Sequence, residues 1–308
     1  MTSAAMLKHT AASQRRPLLL ALDFDKTLTT HDTISNVAAV AKRIHPEYKN
    51  FQWFADEYMK DHNAFEHTWK AKIAGHKNSN TEEKIDRRFL DKYLEAMRPV
   101  EETSLLRINS HGILAGVTAN DMFEAGRAVQ FRPGAARTIN HFLNASSTID
   151  CTVCIVSINW SESFIRGALS ANGVDLSNAN ARPVDIHCNN MLFDAKTGLS
   201  TGHLPSKMVV ASDKTDAIDA AKRDITERHG RNPILVYAGD SLTDLPALLD
   251  ASIGLLFGDS SGPVTWCEWL GIRFGEQRSE PECTKVLYKL EGWDKAIAII
   301  QKHINEVE

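Results

Sequence analysis

The segment Pro17-Leu18-Leu19-Leu20-Ala21-Leu22 runs without a break into Asp23-Phe24-Asp25-Lys26-Thr27-Leu28-Thr29. A short, uninterrupted apolar run reads as a strand buried on both faces, and such strands belong to parallel sheets covered by helices. The switch at Asp23 then sets two carboxylates, two residues apart, at the strand's C-terminal end. Unneutralised, they would repel each other and raise one pKa. A hard divalent cation removes that conflict, and Mg²⁺ accepts one or two carboxylates while keeping waters and phosphate oxygens. One carboxylate can then act as nucleophile and the other as acid and base. The competing reading is a solvated acidic turn; the buried strand before the pair and Thr27 after it weigh against it.

Four further apolar runs look like buried strands: Cys151 to Val156, Val184 to His187, Ile234 to Tyr237 and Ile253 to Phe257. Helical patterns separate most of them, and that alternation predicts an α/β fold with a doubly wound parallel sheet. Between about Asp32 and Ala128 the pattern is helical only, with no good strand. Phe51, Phe54, Tyr58, Phe65 and Trp69 recur at helical steps, as do Ile85, Phe89, Leu90, Tyr93, Leu94 and Met97. The expected organisation is a flexible tail over residues 1–16, a core over 17–31 and 129–308, and an inserted all-helical cap over 32–128. The aromatic stripe is expected to be mostly cap core, any exposed remainder lining a pocket. Trp293 to Ile304 reads as a closing amphipathic helix.

Of 308 residues, 35 are Lys or Arg and 39 are Asp or Glu, a formal charge of -4 that argues against a protein held to nucleic acid by phosphate contacts. No apolar run reaches the ~18 residues of a spanning helix, so no membrane role is expected. Cys151 and Cys154 spell C-x-x-C, but on a strand residues three apart point to opposite faces, so the thiols diverge and read as core. An intracellular, reducing compartment follows, with the cytoplasm expected. The segment Met1 to Arg16 carries Lys8, Arg15 and Arg16 and no acid, a composition also compatible with an organellar transit segment.

Two more strand ends carry polar groups. Val156 leads into Ser157-Ile158-Asn159-Trp160-Ser161-Glu162, where Asn159 can cap the next helix with Glu162 completing a box. The helix amides and the Ser157 hydroxyl can then hold an anion; taken alone, Ser157 reads as a turn or capping serine rather than a phosphate ligand. Tyr237 leads into Ala238-Gly239-Asp240-Ser241-Leu242-Thr243-Asp244. There Gly239 permits close backbone approach and Asp240 is best explained as a cation ligand, while Ser241-x-x-Asp244 also matches a capping box. Three strand ends delivering polar groups to one rim match the crevice where α/β sheets bind ligands. A phosphoryl site also needs a fixed cation. Lys214 opens a helix where its charge opposes the dipole, which favours a functional role; Lys207 is the rival.

With these motifs in order, Asp23-Phe24-Asp25-Lys26-Thr27, Ser157, Lys214 and Gly239-Asp240-Ser241-x-x-Asp244, the chain resembles a haloacid-dehalogenase-superfamily phosphatase of the phosphoserine-phosphatase-like branch. Phe131-Arg132-Pro133-Gly134 and a short hairpin over Asn189 to Gly202 agree, and the resemblance covers roughly Leu18 to Phe257. It implies that Asp23 attacks phosphorus to form an aspartyl-phosphate and that Asp25 protonates the leaving oxygen and later activates water. It also implies that Ser157 and Lys214 bind the phosphoryl group, and that Asp23, the Asp25 carbonyl and Asp240 coordinate Mg²⁺. Asp244 and Thr27 are the supporting residues, and Asp32, Asn159 and Asn189 are the candidates to meet the rest of a small phosphorylated metabolite. Asp32 reads equally as the cap of the first helix of the insertion. No clear arginine stands in the insertion to grip an amino-acid carboxylate, so cofactor monophosphates such as thiamine phosphate stay open beside phosphoserine. A 5′-nucleotidase or phosphotransferase would use the same core. Outside enzymes, the alternative is a phosphate-binding regulatory protein without turnover, against which the full set of motif positions argues.

Overall fold

The computed structural model describes residues 16–78, 85–144, 150–176, 184–258, 261–280 and 283–307; nearly all of the expected tail lies outside the described residues. A seven-stranded sheet is formed by β1 (Leu18–Leu22), β3 (Cys151–Val156), β4 (Asp185–His187), β6 (Ile234–Gly239), β7 (Ile253–Phe257), β8 (Gln277–Glu280) and β9 (Cys283–Leu290). The order is β4-β3-β1-β6-β7-β9-β8, parallel except for β8, which pairs antiparallel with β9. The doubly wound parallel core expected from the apolar runs is present. β1 lies between β3 and β6, so the chain leaves it first to one side and later to the other, and that reversal opens a crevice at the C-terminal strand ends.

The centre of the sheet is buried on both faces because β1 is apolar at every position and its neighbours β3 and β6 are buried throughout, Thr152 of β3 included. Leu18, Leu20 and Leu22 belong to one hydrophobic cluster, Leu19 and Ala21 to the other. Cys151 and Cys154 divide in the same way, one thiol to each face, which excludes a redox pair. Burial pushes the Cys154 thiol up to about 12, with Asp185 adding to it.

The insertion supplies α1 (Ile34–Ile44), α2 (Phe51–Asn78), α3 (Arg87–Glu95), α4 (Arg98–His111) and α5 (Ala119–Gly126). It is not wholly helical. Ala115–Thr118 forms β2, which pairs antiparallel with β5 (Leu199–Thr201) in a two-stranded ribbon apart from the main sheet. The four-residue Ala-Gly-Val-Thr segment has no apolar run of its own and becomes a strand through its distant partner. The hairpin over 189–202 is seen as the Phe193–Ser200 bridge, with β5 as its returning arm. The sequence reading also missed β8 and β9. In Cys283–Leu290 two lysines interrupt the apolar pattern, and the strand is set by pairing with β7.

The remaining helices are α6 (Ala135–Asn144), α7 (Glu162–Ala171), α8 (Ala211–His229), α9 (Leu245–Asp250), α10 (Ser261–Trp269) and α11 (Ala296–Val307). The last begins three residues later than the periodicity indicates, after a 3-10 turn at Trp293–Lys295. Among the described residues no helix is long and apolar enough to cross a membrane.

The two ends of the insertion pack differently from a free-standing cap. Toward its C-terminal end, α5 lies directly on α7, with glycine at each crossing point. A Cβ on Gly167 would stand 2.0 Å from the Phe123 carbonyl oxygen, and one on Gly126 would stand 2.0 Å from that of Phe164. On the other side, Trp69, Leu90, Tyr93 and Leu94 share a cluster with Trp266 of α10. Arg87 of α3 donates to both carboxylate oxygens of Asp250, at 3.2 and 2.9 Å.

The contact between α5 and α7 generates a stability test. Gly167→Ala must separate two backbones and is expected to cost about 1–3 kcal/mol. Gly75→Ala, on α2 with nothing within 4 Å of its added Cβ, should be neutral or stabilising. Urea unfolding of the two variants checks this; equal midpoints would contradict the close packing.

Candidate active site

Asp23 follows the last residue of β1, and its amide still donates to the Ala238 carbonyl of β6 at 2.8 Å. The carboxylate is therefore held at the sheet edge by strand geometry, and its exposure is 4 %. Beyond it the chain turns sharply. Lys26 adopts φ 58, the one non-glycine residue with positive φ among those described, and the Leu28 and Thr29 amides both return to the Phe24 carbonyl. Two distant side chains clamp this turn: Arg132 Nε donates to the Lys26 carbonyl at 2.7 Å, and Trp293 Nε1 to that of Thr27 at 3.0 Å. A left-handed lysine costs of order 1–3 kcal/mol, and such strain persists where surrounding contacts over-determine it.

Lys214, on the first turn of α8, is 2 % exposed. Its Nζ donates to Asp23 Oδ1 at 2.8 Å and to Asp244 Oδ1 at 2.7 Å. Asp244 is saturated further: Tyr237 Oη donates to the same oxygen at 2.7 Å, while the Asp240 and Ser241 amides and the Ser241 hydroxyl donate to Oδ2. Gly239 makes room for it, since a Cβ there would lie 2.4 Å from that of Asp244. Asp240 accepts from Thr27 Oγ1 at 3.3 Å. Oxygens of Asp23, Asp240 and Asp244 lie within 4.8 Å of one another, all three residues buried.

Three buried carboxylates thus face one ammonium, and their ionisation divides accordingly. Burial would raise Asp244, but Lys214 and the hydrogen bonds from Lys214, Ser241 and Tyr237 hold it below the usual range. At Asp23 burial, opposed by Lys214 and reinforced by Asp244 and Asp240, pushes the carboxyl well above its ordinary value. At Asp240 burial, with the charge of Asp244, pushes it up to about 7. An all-oxygen set short of positive charge suits a hard divalent cation, which would let Asp23 and Asp240 ionise together.

Asp25 turns away from this cluster. Its Oδ1 accepts from the Thr33 amide at 2.7 Å and the Thr33 hydroxyl at 2.6 Å, and its Oδ2 accepts from Asn159 Nδ2 at 3.2 Å. Burial raises its pKa, and the hydrogen bonds from Thr33 and Asn159 oppose this only in part. Thr33 immediately precedes α1, so the entrance of the insertion is bonded directly to Asp25. The sequence does not reveal that role for Thr33; its neighbour Asp32 is the residue there that reads as a candidate. Asp32 itself is exposed, and its Oδ1 accepts the Ile34 amide at 3.0 Å, which agrees with the helix-start reading.

The capping expectation for Asn159 is corrected. Ser161 caps α7, its hydroxyl accepting from the Phe164 amide at 3.2 Å. Asn159 is fully buried; its Oδ1 accepts the Trp160 amide at 2.8 Å while its Nδ2 reaches Asp25 and Thr33. Ser157 is 1 % exposed, and its hydroxyl accepts the Asn159 amide at 3.1 Å, leaving its own proton to donate. Asn189 is consumed by backbone: Nδ2 donates to the Ile158 and Met208 carbonyls, and Oδ1 accepts the Lys207 and Met208 amides. It ties two loops together. Lys207 is exposed, whereas Lys214 is buried between Asp23 and Asp244.

A cavity of about 420 Å³ opens beside these residues, with Asp32, Ser241 and Thr243 on the side of the chemistry. Phe51, Phe54 and Tyr58 of α2 and Trp160 line its walls. The aromatic stripe therefore divides along one long helix: its first turns face the cavity, and Phe65 and Trp69 pack on Tyr93 of α3.

With this geometry in hand, comparison with solved structures is informative. A probable phosphoserine phosphatase from Vibrio cholerae, in its unliganded form, superposes with a TM-score of 0.51 at 13% identity, over 97% of this chain and 69% of that one. The chain has the fold of the phosphoserine-phosphatase-like branch of the haloacid dehalogenase superfamily. Among curated proteins, the bifunctional TH2 protein, mitochondrial, of Arabidopsis thaliana is 25% identical over 83% of this chain. The chain spans only 42% of that relative's length. A CTO1 family protein of Schizosaccharomyces pombe is 27% identical over 78% of this chain and 81% of its own. No family model matches.

Removing the central cation tests the electrostatics of this buried site. Lys214→Met leaves Asp23 and Asp244 buried without their partner and is expected to cost about 3–5 kcal/mol at pH 7. The loss should shrink as the pH falls and the carboxylates take up protons. Urea unfolding at pH 7 and pH 4 measures both, and a loss below about 1 kcal/mol would sink the claim that the ammonium is what keeps the cluster folded.

Proposed function

We propose that the protein is a Mg²⁺-dependent phosphomonoester hydrolase that works through an aspartyl-phosphate on Asp23. The observation that carries this reading is the buried nucleophile position at the end of β1, bonded at one oxygen by Lys214 and grouped with Asp240 and Asp244. The printed name of the Vibrio cholerae neighbour supports the same reaction class.

Asp23 attacks phosphorus through the oxygen that Lys214 does not hold. A bond forms between that oxygen and phosphorus as the ester oxygen departs with its electron pair. Asp25, whose pKa burial raises, gives that oxygen its proton, so the leaving group departs as a neutral alcohol. In the second half, water attacks the phosphoryl group while Asp25 takes its proton, and the Asp23 carboxylate is released with inorganic phosphate. Thr33 and Asn159 hold Asp25 in one orientation for both transfers. Ser157 and Lys214 donate to phosphoryl oxygens, which is where charge must be stabilised in such transfers. Asp23, Asp240 and the Asp25 carbonyl are the groups to hold Mg²⁺, with Asp244 fixing Lys214. When bound there, the ion supplies charge neutralisation for the equatorial oxygens. The aromatic cavity takes the leaving group, a small phosphorylated metabolite with a flat or apolar part. We place the reaction in the cytoplasm, on the strength of the buried thiols of Cys154 and Cys188.

Asp23→Asn keeps the shape of the side chain but cannot attack. Turnover of 4-nitrophenyl phosphate should fall by at least about 10³-fold with the circular dichroism unchanged. Near wild-type turnover in this variant would remove Asp23 as nucleophile. Exhaustive chelation should abolish wild-type turnover and added Mg²⁺ restore it, with Ca²⁺ a poor substitute because its larger, looser coordination misplaces the attacking oxygen. Full activity after chelation would count against the metal assignment.

A further inference from the structure

The cavity wall farthest in sequence from the aspartate motifs carries one acidic group with no role in the mechanism above. Glu101, in the first turn of α4, lines the cavity beside Leu105 and Ile108. Its Oε1 accepts from Tyr58 Oη of α2 at 2.8 Å. Among the described residues, Tyr58 is its one hydrogen-bond partner, and no ion pair reaches it. Elsewhere on these helices Asp61 of α2 is ion-paired by Arg107 Nη2 of α4, whereas Glu66 of α2 is held, like Glu101, by a tyrosine hydroxyl, that of Tyr93 of α3. The Tyr58 bond ties α2 to α4, but it leaves the carboxylate without a cation in a wall whose other α4 groups are Ser104, Leu105 and Ile108, and an uncompensated acid there is costly. Burial, opposed by the Tyr58 hydrogen bond, pushes Glu101 up to about 7, in keeping with a wall that solvates its charge poorly.

A cationic nitrogen entering the cavity would reverse that cost. It would supply the missing charge and donate hydrogen bonds to the carboxylate oxygen that Tyr58 leaves free. The rings of Phe51, Tyr58 and Trp160, which line the same cavity, would favour it through their electron-rich faces. Asp32 offers a weaker alternative at the other side of the cavity, because it is exposed and already accepts the Ile34 amide.

Resting on the phosphomonoester reading, we propose that Glu101, oriented by Tyr58, is a specificity-determining subsite for a positively charged nitrogen on the leaving group. The preferred substrates are then phosphomonoesters whose alcohol portion is partly flat or apolar and carries that nitrogen away from the phosphate.

Binding rather than turnover tests this, so that a failure of hydrolysis stays distinguishable. Two non-hydrolysable probes, 4-(aminomethyl)benzylphosphonate and 4-methylbenzylphosphonate, are titrated calorimetrically with Mg²⁺ present against the full chain, Glu101→Gln, Asp32→Asn and Glu102→Gln, the last an exposed neighbour on the same helix. The wild type should prefer the ammonium probe by about tenfold or more, and Glu101→Gln should lose that preference. Glu102→Gln should keep it within about threefold. Equal affinities in the wild type, no binding of either probe, or a preference lost in Asp32→Asn but kept in Glu101→Gln would each overturn the assignment. The separate assay with 4-nitrophenyl phosphate judges the phosphatase reading whichever way the probes behave.

Discussion

Lys214 stands between Asp23 and Asp244 with almost no access to water, and the arrangement of the molecule follows from the need to keep that ammonium compensated. Each of the three groups comes from a different element: the end of β1, the first turn of α8 and the turn after β6. None could be buried alone, because an isolated charge in this interior would neutralise or unfold its surroundings. Together they fix how α8 sits on the sheet edge. Asp244 occupies its place only because Gly239 has no side chain to meet it, and Tyr237, from the strand itself, supplies a further donor. The site is thus an electrostatic joint of the core as well as a candidate for chemistry.

The insertion is bound to that joint rather than resting over it. Thr33, where α1 begins, donates twice to Asp25. Arg98 of α4 reaches both oxygens of Asp213, the residue before Lys214, and Asp213 in turn accepts the Val209 and Val210 amides that start α8. Ser212 completes the contact by donating to Glu95 of α3 at 2.7 Å. The cavity walls therefore take their positions from the same helices that position the acid and the lysine. The cavity and the aspartate cluster are coupled through short polar contacts, and a shift of the insertion would be felt at Asp25 and at the start of α8 alike.

Much of the candidate site was legible because its signals are local. A buried strand ending in acid is a contiguous pattern, and it located Asp23, Ser157 and Asp240 at one rim before any packing was known. Other roles were hidden because they depend on partners far along the chain. Asn159 reads as a helix cap in its own sequence neighbourhood, but its amide is turned to Asp25, 134 residues away, and Ser161 caps instead. Ala115–Thr118 and Cys283–Leu290 lack the apolar run that marks a buried strand, and each is a strand only beside its partner. Lys214 is favoured by its place at a helix start, but that it is buried while Lys207 is exposed is something no spacing reveals.

By itself the sequence determined the parallel core, the rim where its polar strand ends meet, and the helical character of most of the insertion. Those follow from periodicity and from the cost of burying charge, which act over a few residues at a time. Tertiary structure alone decided which lysine is buried, how the aromatic stripe of α2 divides between cavity and core, and that Glu101 faces the cavity with Tyr58 as its partner. Such outcomes turn on distances between residues tens to hundreds of positions apart, and only the packed chain sets those distances.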